Sequence, residues 1–127
     1  MAVAERRQLS LGRLGSVTFA RGTSVSEKGS TFMAAIAYPI PTAAHGVAAL
    51  AILRGLPIFA TATHRINAYV ALDGTVQCED DGEAKAGGKL KSTLKKQKVK
   101  DVACLIGRWY GGVNIGKARF EHIAEVN

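Results

Sequence analysis

The stretch RWYGGVNIGKARF, from Arg108 to Phe120, gathers the side chains best suited to gripping another molecule. It carries the adjacent large aromatics Trp109 and Tyr110, ends on Phe120, and holds three cations, Arg108, Lys117 and Arg119, with Gly111, Gly112 and Gly116 set among them. Paired glycines let a backbone turn sharply and let a ligand or a second chain come close. An arginine at the carboxyl end of a buried strand, backed by the free N–H groups of a following helix, suits an anion. The same arginine and aromatics are the residue types that dominate protein–protein contact energy. A purely structural reading also stands, in which the aromatics pack and the glycines make a tight turn.

Three other groups bear on chemistry. Glu79, Asp80, Asp81 and Glu83 crowd around Gly82, just before Gly87 and Gly88. Carboxylates this dense could hold a divalent ion or shift one another's proton affinity. The run lacks the alternating ligands of a calcium loop, and pairing with Arg108 or Arg119 across the fold serves equally well, so no metal is assigned. Seven lysines, Lys85, Lys89, Lys91, Lys95, Lys96, Lys98 and Lys100, follow without an acid among them. They read as a solvated helix face or as a phosphate-tracking stripe, though no aromatic stacker sits among them. His45, His64 and His122 lie in separate segments, and Cys78 and Cys104 have no metal-like spacing. No nucleophile with its base can be named, so no catalytic residue and no cofactor is assigned.

The elements that must position these residues follow from pattern. SVTFARG and STFMAAIAYPI are strand-like, with TSVSEKG as a turn between them and residues 1–16 as a loose lead-in. Thr42 stands where a helix cap belongs, and the nearly uncharged run Ala43 to Leu53 reads as a buried helix closed by Gly55 and Pro57. HRINAYVAL and TVQCED flank Asp73-Gly74, a hairpin signal that asks for positive φ at both turn residues. Asp81-Gly82 reads as a bend, and Gly87-Gly88 as another close approach. Leu90 and Leu94 mark a thin apolar stripe on a lysine-rich helix. DVACLIGRWY is apolar on both faces through Ile106, as a central strand is. KARFEHIAEV closes as a short helix. The expected class is α+β, a two-layer sheet with helices on one face.

At 127 residues the chain is one domain, and 47% of it is apolar, enough for a core. Seventeen Lys and Arg against ten Asp and Glu favour acidic or polyanionic partners. Two lone cysteines suit a reducing compartment. The most apolar run, AAHGVAALAIL, is too short to cross a bilayer, which needs about twenty residues, so no membrane contact is expected and the cytoplasm is the default location.

Three blocks, in one order and spacing, resemble the Impact (Impact/YigZ) family over roughly Lys28 to Val126. THRINAY supplies Thr63, His64, Ala68 and Tyr69; EDDGEAKAGG supplies Asp80 to Glu83 with Gly87 and Gly88; RWYGGVNIGKARFEHI is the third, and KGSTF at Lys28 to Phe32 is a weaker fourth. The Trp-Tyr pair, with Arg119-Phe120 and His122-Ile123, is similar to the eukaryotic Impact branch. The resemblance implies a fold like domain 2 of ribosomal protein S5 over residues 28–127, behind a 1–27 lead-in with a possible first strand. It implies a non-enzymatic module that regulates translation, in the eukaryotic branch by engaging the ribosome-associated activator of the starvation-sensing initiation-factor kinase. Nucleic-acid or ribosome contact is implied for the conserved domain, and actin-monomer binding for the eukaryotic branch. That branch carries an additional N-terminal RWD domain, and the lead-in here is too short for one. The expected partner is therefore a translation-control protein or the ribosome, with RNA or DNA as the alternative. Arg65 stands in place of a usual Asn, Val70 in place of a common Arg, and Asn114, Lys117 and Ala118 in place of more apolar or acidic residues. These readings require the acidic bend and the end of the Arg108 strand to meet on one accessible patch.

Overall fold

The computed structural model describes residues 3–110. The first two strands, β1 (Val3–Ser10) and β2 (Ser16–Gly22), form an antiparallel pair joined by a 3-10 turn at Gly12–Leu14. The lead-in expected to be loose over 1–16 is therefore largely strand. Its apolar alternation is weak because β1 is an edge strand, mostly bathed in water on both faces. Charge contributes to seating it instead: Glu5 lies 2.6 Å from Arg7 and 3.1 Å from Arg21, and Arg7 sits over the Phe19 ring at 5.2 Å.

The segment read as a turn contains a third strand. β3 (Val25–Glu27) pairs with β4 (Ser30–Tyr38) through Lys28 and Gly29, both at positive φ, as a two-residue hairpin requires. After β4 comes α1 (Ala43–Gly55), where Thr42 caps the helix by accepting from the His45 N–H at 3.4 Å. A 3-10 turn at Pro57–Phe59 leads to β5 (His64–Val70) and β6 (Val76–Glu79). The hairpin between them is present, with a different turn. Gly74 has φ +94° while Asp73 does not enter the left-handed region, and the Gly74 N–H donates to the Ala71 carbonyl. This is a longer loop in which a glycine closes an ordinary turn. Asp73 instead accepts from the Thr75 N–H at 2.9 Å, the chief reason its carboxyl is held below the usual range.

α2 (Ala86–Lys96) and β7 (Val102–Trp109) complete the described elements. Gly87 and Gly88, expected at a close approach, lie in the first turn of α2, where Gly87 presses on the Glu79 backbone. The strands form one antiparallel sheet in the order β1-β2-β4-β7-β5-β6, with β3 beside β2 on the same edge of β4. The closing helix expected over KARFEHIAEV lies outside the described residues, as do Gly111, Gly112, Gly116 and Arg119.

The α+β class stands, with a correction to the layering among the described residues. Alternation along a strand sends successive side chains to opposite faces. Tyr69, Ala103, Leu105 and Trp109 join Leu50 and Leu53 of α1 in the larger core. Ile66, Ala68, Val70 and Cys104 meet Leu90 and Leu94 of α2 in a smaller one. The two helices thus cover opposite faces, which is why β7 is apolar at nearly every position and β5 carries apolar residues on both of its faces. α1 is also less buried than its composition suggested. Gly46, Ala49, Leu50 and Leu53 face the sheet, whereas Ala44, Val47 and Ala51 are exposed. No described helix is long and apolar enough to cross a membrane.

The two thiols differ accordingly. Burial pushes Cys104 up to about 12 from 9.0, while Cys78 is exposed on β6. At pH 8 a thiol reagent should therefore modify one cysteine in the folded protein and two after denaturation. Raising the pH from about 9 toward about 12 should weaken the fold, because the unfolded chain ionises Cys104 first. Equal modification rates for both cysteines under native conditions would contradict this packing.

Candidate functional site

Arg108 lies on the α2 face, one residue before the end of β7, where its cross-strand neighbours are Phe32 on β4 and His64 on β5. Its guanidinium pairs with Glu83 through Nη1 and donates to Ser30 Oγ from Nε at 3.4 Å and from Nη2 at 3.2 Å. The rings of Phe32 and Tyr110 flank it at 5.5 and 5.2 Å. Cation–ring contacts of this kind hold an arginine in place while leaving part of it wet. The side chain keeps 23% of its surface exposed, and Tyr110 beside it keeps 62%.

The acidic bend meets this strand end, and each of its carboxylates has its own task. Asp80 Oδ1 accepts from the Gly87 N–H at 2.8 Å and Oδ2 from the Lys85 N–H at 3.2 Å, which ties down the start of α2. Asp81 Oδ2 accepts from the Arg65 N–H at 2.7 Å, and the Asp81 carbonyl accepts from His64 Nδ1 at 2.8 Å. Glu83 takes Arg108, and its second oxygen is buried without a hydrogen-bond partner among the described residues. Gly82 is required twice over: its φ is +87°, and a Cβ there would stand 3.2 Å from the His64 ring. Carboxylates committed to three separate partners do not converge on one ion. Among the described residues no three His, Cys, Asp or Glu are placed to hold a metal.

The structure thus brings together Asp80, Asp81, Gly82, Glu83, His64, Arg108 and Tyr110. It sets two other sequence candidates apart. Trp109 points to the opposite face, 5% exposed, stacked on Phe59 at 6.3 Å with Nε1 donating to Thr61 Oγ1 at 2.9 Å. Tyr69 is likewise buried on the α1 face, its ring directly beneath Gly46. Gly87 packs against the Glu79 backbone, while Gly88 faces open space. Sequence reasoning missed Ser30 and Phe32 as partners of Arg108. The signal was present in KGSTF, which contains both. Thr63, which THRINAY supplied without a role, ties the strand end: its N–H donates to the Arg108 carbonyl at 2.8 Å and its Oγ1 accepts from the Tyr110 N–H at 3.0 Å. Two departures gain a structural role. Arg65 clamps the 3-10 turn by donating to the Phe59 and Ala60 carbonyls at 3.0 and 3.1 Å, and Val70 fills the core under α2.

Comparison with known proteins places this arrangement among relatives. The Impact N-terminal domain matches residues 28–127. Protein IMPACT of Mus musculus is 38% identical over 109 residues, covering 82% of this chain and 34% of that protein. Protein IMPACT of Homo sapiens is 37% identical over 107 residues, covering 80% and 33%. The chain therefore spans about a third of the length of these curated relatives. Among solved structures, the two-domain translational regulator Yih1 superposes with a TM-score of 0.58 and 28% identity, over 85% of this chain and 43% of that one. A crystal structure of a hypothetical protein gives a TM-score of 0.61 at 24% identity, over 72% and 46%, and shares the fold. The matched domain, the blocks that meet around Arg108 and the extent of these likenesses lead to one conclusion: this chain belongs to the Impact family.

Proposed function

We propose that this chain is a non-enzymatic binding module that regulates translation, in the cytoplasm, through contact with a translation-control protein or the ribosome. The regulation it serves is the stress response that runs through the starvation-sensing kinase. Family membership and the likeness to a protein described as a translational regulator support the class of function. One observation carries the choice of surface. Arg108 is held in place by Glu83 and Ser30 with about a quarter of its side chain exposed and Tyr110 open beside it, and fixed arginine and tyrosine side chains are favoured anchors at protein interfaces. Gly111, Gly112, Gly116 and Arg119 belong to the same proposed surface by their place in the sequence block. Co-sedimentation of the purified chain with ribosomes, and pull-down of translation-control proteins from matching extract, tests this. Tyr110→Ala should reduce recovery by about tenfold or more, the scale of an interface anchor, without unfolding the domain. The absence of any ribosomal or translation-control protein with wild type, or equal recovery with Tyr110→Ala and Arg108→Ala, would sink it.

A second reading, phosphate-backbone binding, rests on the solvent face of α2. There Lys85, Lys89, Lys91 and Lys96 border an open depression of about 820 Å³. On this reading affinity for single-stranded RNA falls steeply with salt, by about 0.7 log units per neutralised phosphate for each log unit of salt. A flat salt titration would remove it.

A further inference from the structure

The outer edge of β6 is a feature independent of the surface around Arg108. β6 ends the strand order, and among the described residues nothing pairs with its outer side. The Ala71 N–H donates to the Thr75 carbonyl at 2.8 Å, which sets the ladder so that Gln77 and Glu79 bond to β5. The N–H and C=O groups of Val76 and Cys78 therefore point outward. Sheet edges are commonly guarded by lysine, proline or a bulge. VQCE holds neither lysine nor proline, and its register with β5 is unbroken. Free backbone groups in such a row accept an added strand.

The two faces beside that edge differ in character. On one, α1 packs over β5 and β7 and leaves β6 uncovered. A recess of about 150 Å³ opens there, between Val47 and Leu50 of α1, Asn67 and Tyr69 of β5, and Gln77 and Glu79 of β6. Val47 is 54% exposed at its rim, and Arg54 answers the Glu79 carboxylate at 3.5 Å. A cavity of this size holds a benzene ring. On the other face α2 covers β5 and β6. Gly87 presses on the Glu79 backbone, and Lys91 and Lys95 follow it on that flank at one-turn spacing. No carboxylate of the described residues pairs with either lysine. An added strand sends successive side chains to opposite faces. The residue opposite Gln77 enters the recess, and its two neighbours, opposite Val76 and Cys78, meet the lysine flank. Those neighbours stand about 7 Å apart, close to the rise of about 6 Å from Lys91 to Lys95. We propose that β6 is a docking edge for an extended segment of a partner protein, added antiparallel, that carries one large apolar residue between two acidic ones.

The test is an NMR titration of the ¹⁵N-labelled chain with the acetylated and amidated peptide Ser-Glu-Phe-Glu-Ser. The peptide is expected to shift the amides of Leu50, Val76, Cys78 and Lys91 saturably. Ser-Lys-Phe-Lys-Ser is expected to bind about tenfold or more weakly, since like charges then meet on the α2 side. The double variant Lys91→Glu with Lys95→Glu should reverse that preference, and both lysines are exposed enough for the fold to survive the change. N-methylation of both glutamates removes the donors that face β6 and should abolish binding. N-methylation of the phenylalanine, whose N–H points away, should leave affinity unchanged. No saturable shift at about 5 mM, a concentration that would reveal even millimolar affinity, overturns the proposal. Equal affinity for the two peptides overturns it too, as does undiminished binding of the peptide methylated at its glutamates.

Discussion

Trp109→Ala is expected to destabilise the domain by about 3–5 kcal/mol, the range for deleting a large buried aromatic, while Tyr110→Ala stays within about 0.5 kcal/mol of wild type. The two aromatics are adjacent in sequence and point to opposite faces, as neighbours on a strand must. Trp109 closes the larger core, stacked on Phe59, with its indole N–H satisfied by Thr61. Its removal leaves a cavity between β7 and the Pro57–Phe59 turn. Tyr110 is mostly in water and contributes a ring beside Arg108. Urea denaturation decides the matter: the Trp109→Ala midpoint should fall sharply at similar slope, and the Tyr110→Ala curve should overlay wild type. If the two variants lose stability equally, Trp109 does not sit in the core as described. The contrast also separates the roles of the aromatic pair, since only Tyr110 is available to a partner.

The second large effect concerns Gly87 and Gly88, which should respond to alanine with opposite signs. A Cβ at Gly87 would stand 2.7 Å from the Glu79 carbonyl carbon, 2.8 Å from its oxygen and 2.9 Å from Asp80 Oδ1. Backbone atoms cannot give way as a flexible side chain can, so α2 must lift from β6 and break the Asp80 bond to the Gly87 N–H. Such overpacking costs about 1–3 kcal/mol, enough to outweigh alanine's helix preference of about 1 kcal/mol. At Gly88 a Cβ meets nothing within 4 Å among the described residues, so only that helix preference remains, and the variant should gain up to about 1 kcal/mol. Thermal unfolding of the two single variants provides the comparison. Stabilisation by Gly87→Ala would mean that the acidic bend does not press on the helix start. Because Asp80, Asp81 and Glu83 share one short loop, lifting α2 should also loosen Glu83 from Arg108 and lower recovery in the ribosome assay.

Pattern was a sound guide wherever one face of an element meets apolar surface and the other meets water. The Leu90 and Leu94 stripe, the Thr42 cap and the strand at 102–109 all lie where local sequence placed them, since each follows from residues within a few positions. The edge strand β1 was not legible, because its pairing energy comes from backbone bonds and cross-strand charges that leave no apolar period. The meeting of His64, Asp81, Glu83 and Arg108 was suggested by the family blocks, and its bonding scheme was not. Which carboxylate takes which donor depends on the register of β5 against β7 and on a loop that bends at Gly82. Those distances arise only when segments tens of residues apart are brought together. The same reason hid the sidedness of the helices. A strand buried on both faces, as β5 and β7 are, reads alike whether its covering helices share one face or divide between two, and packing alone resolves it.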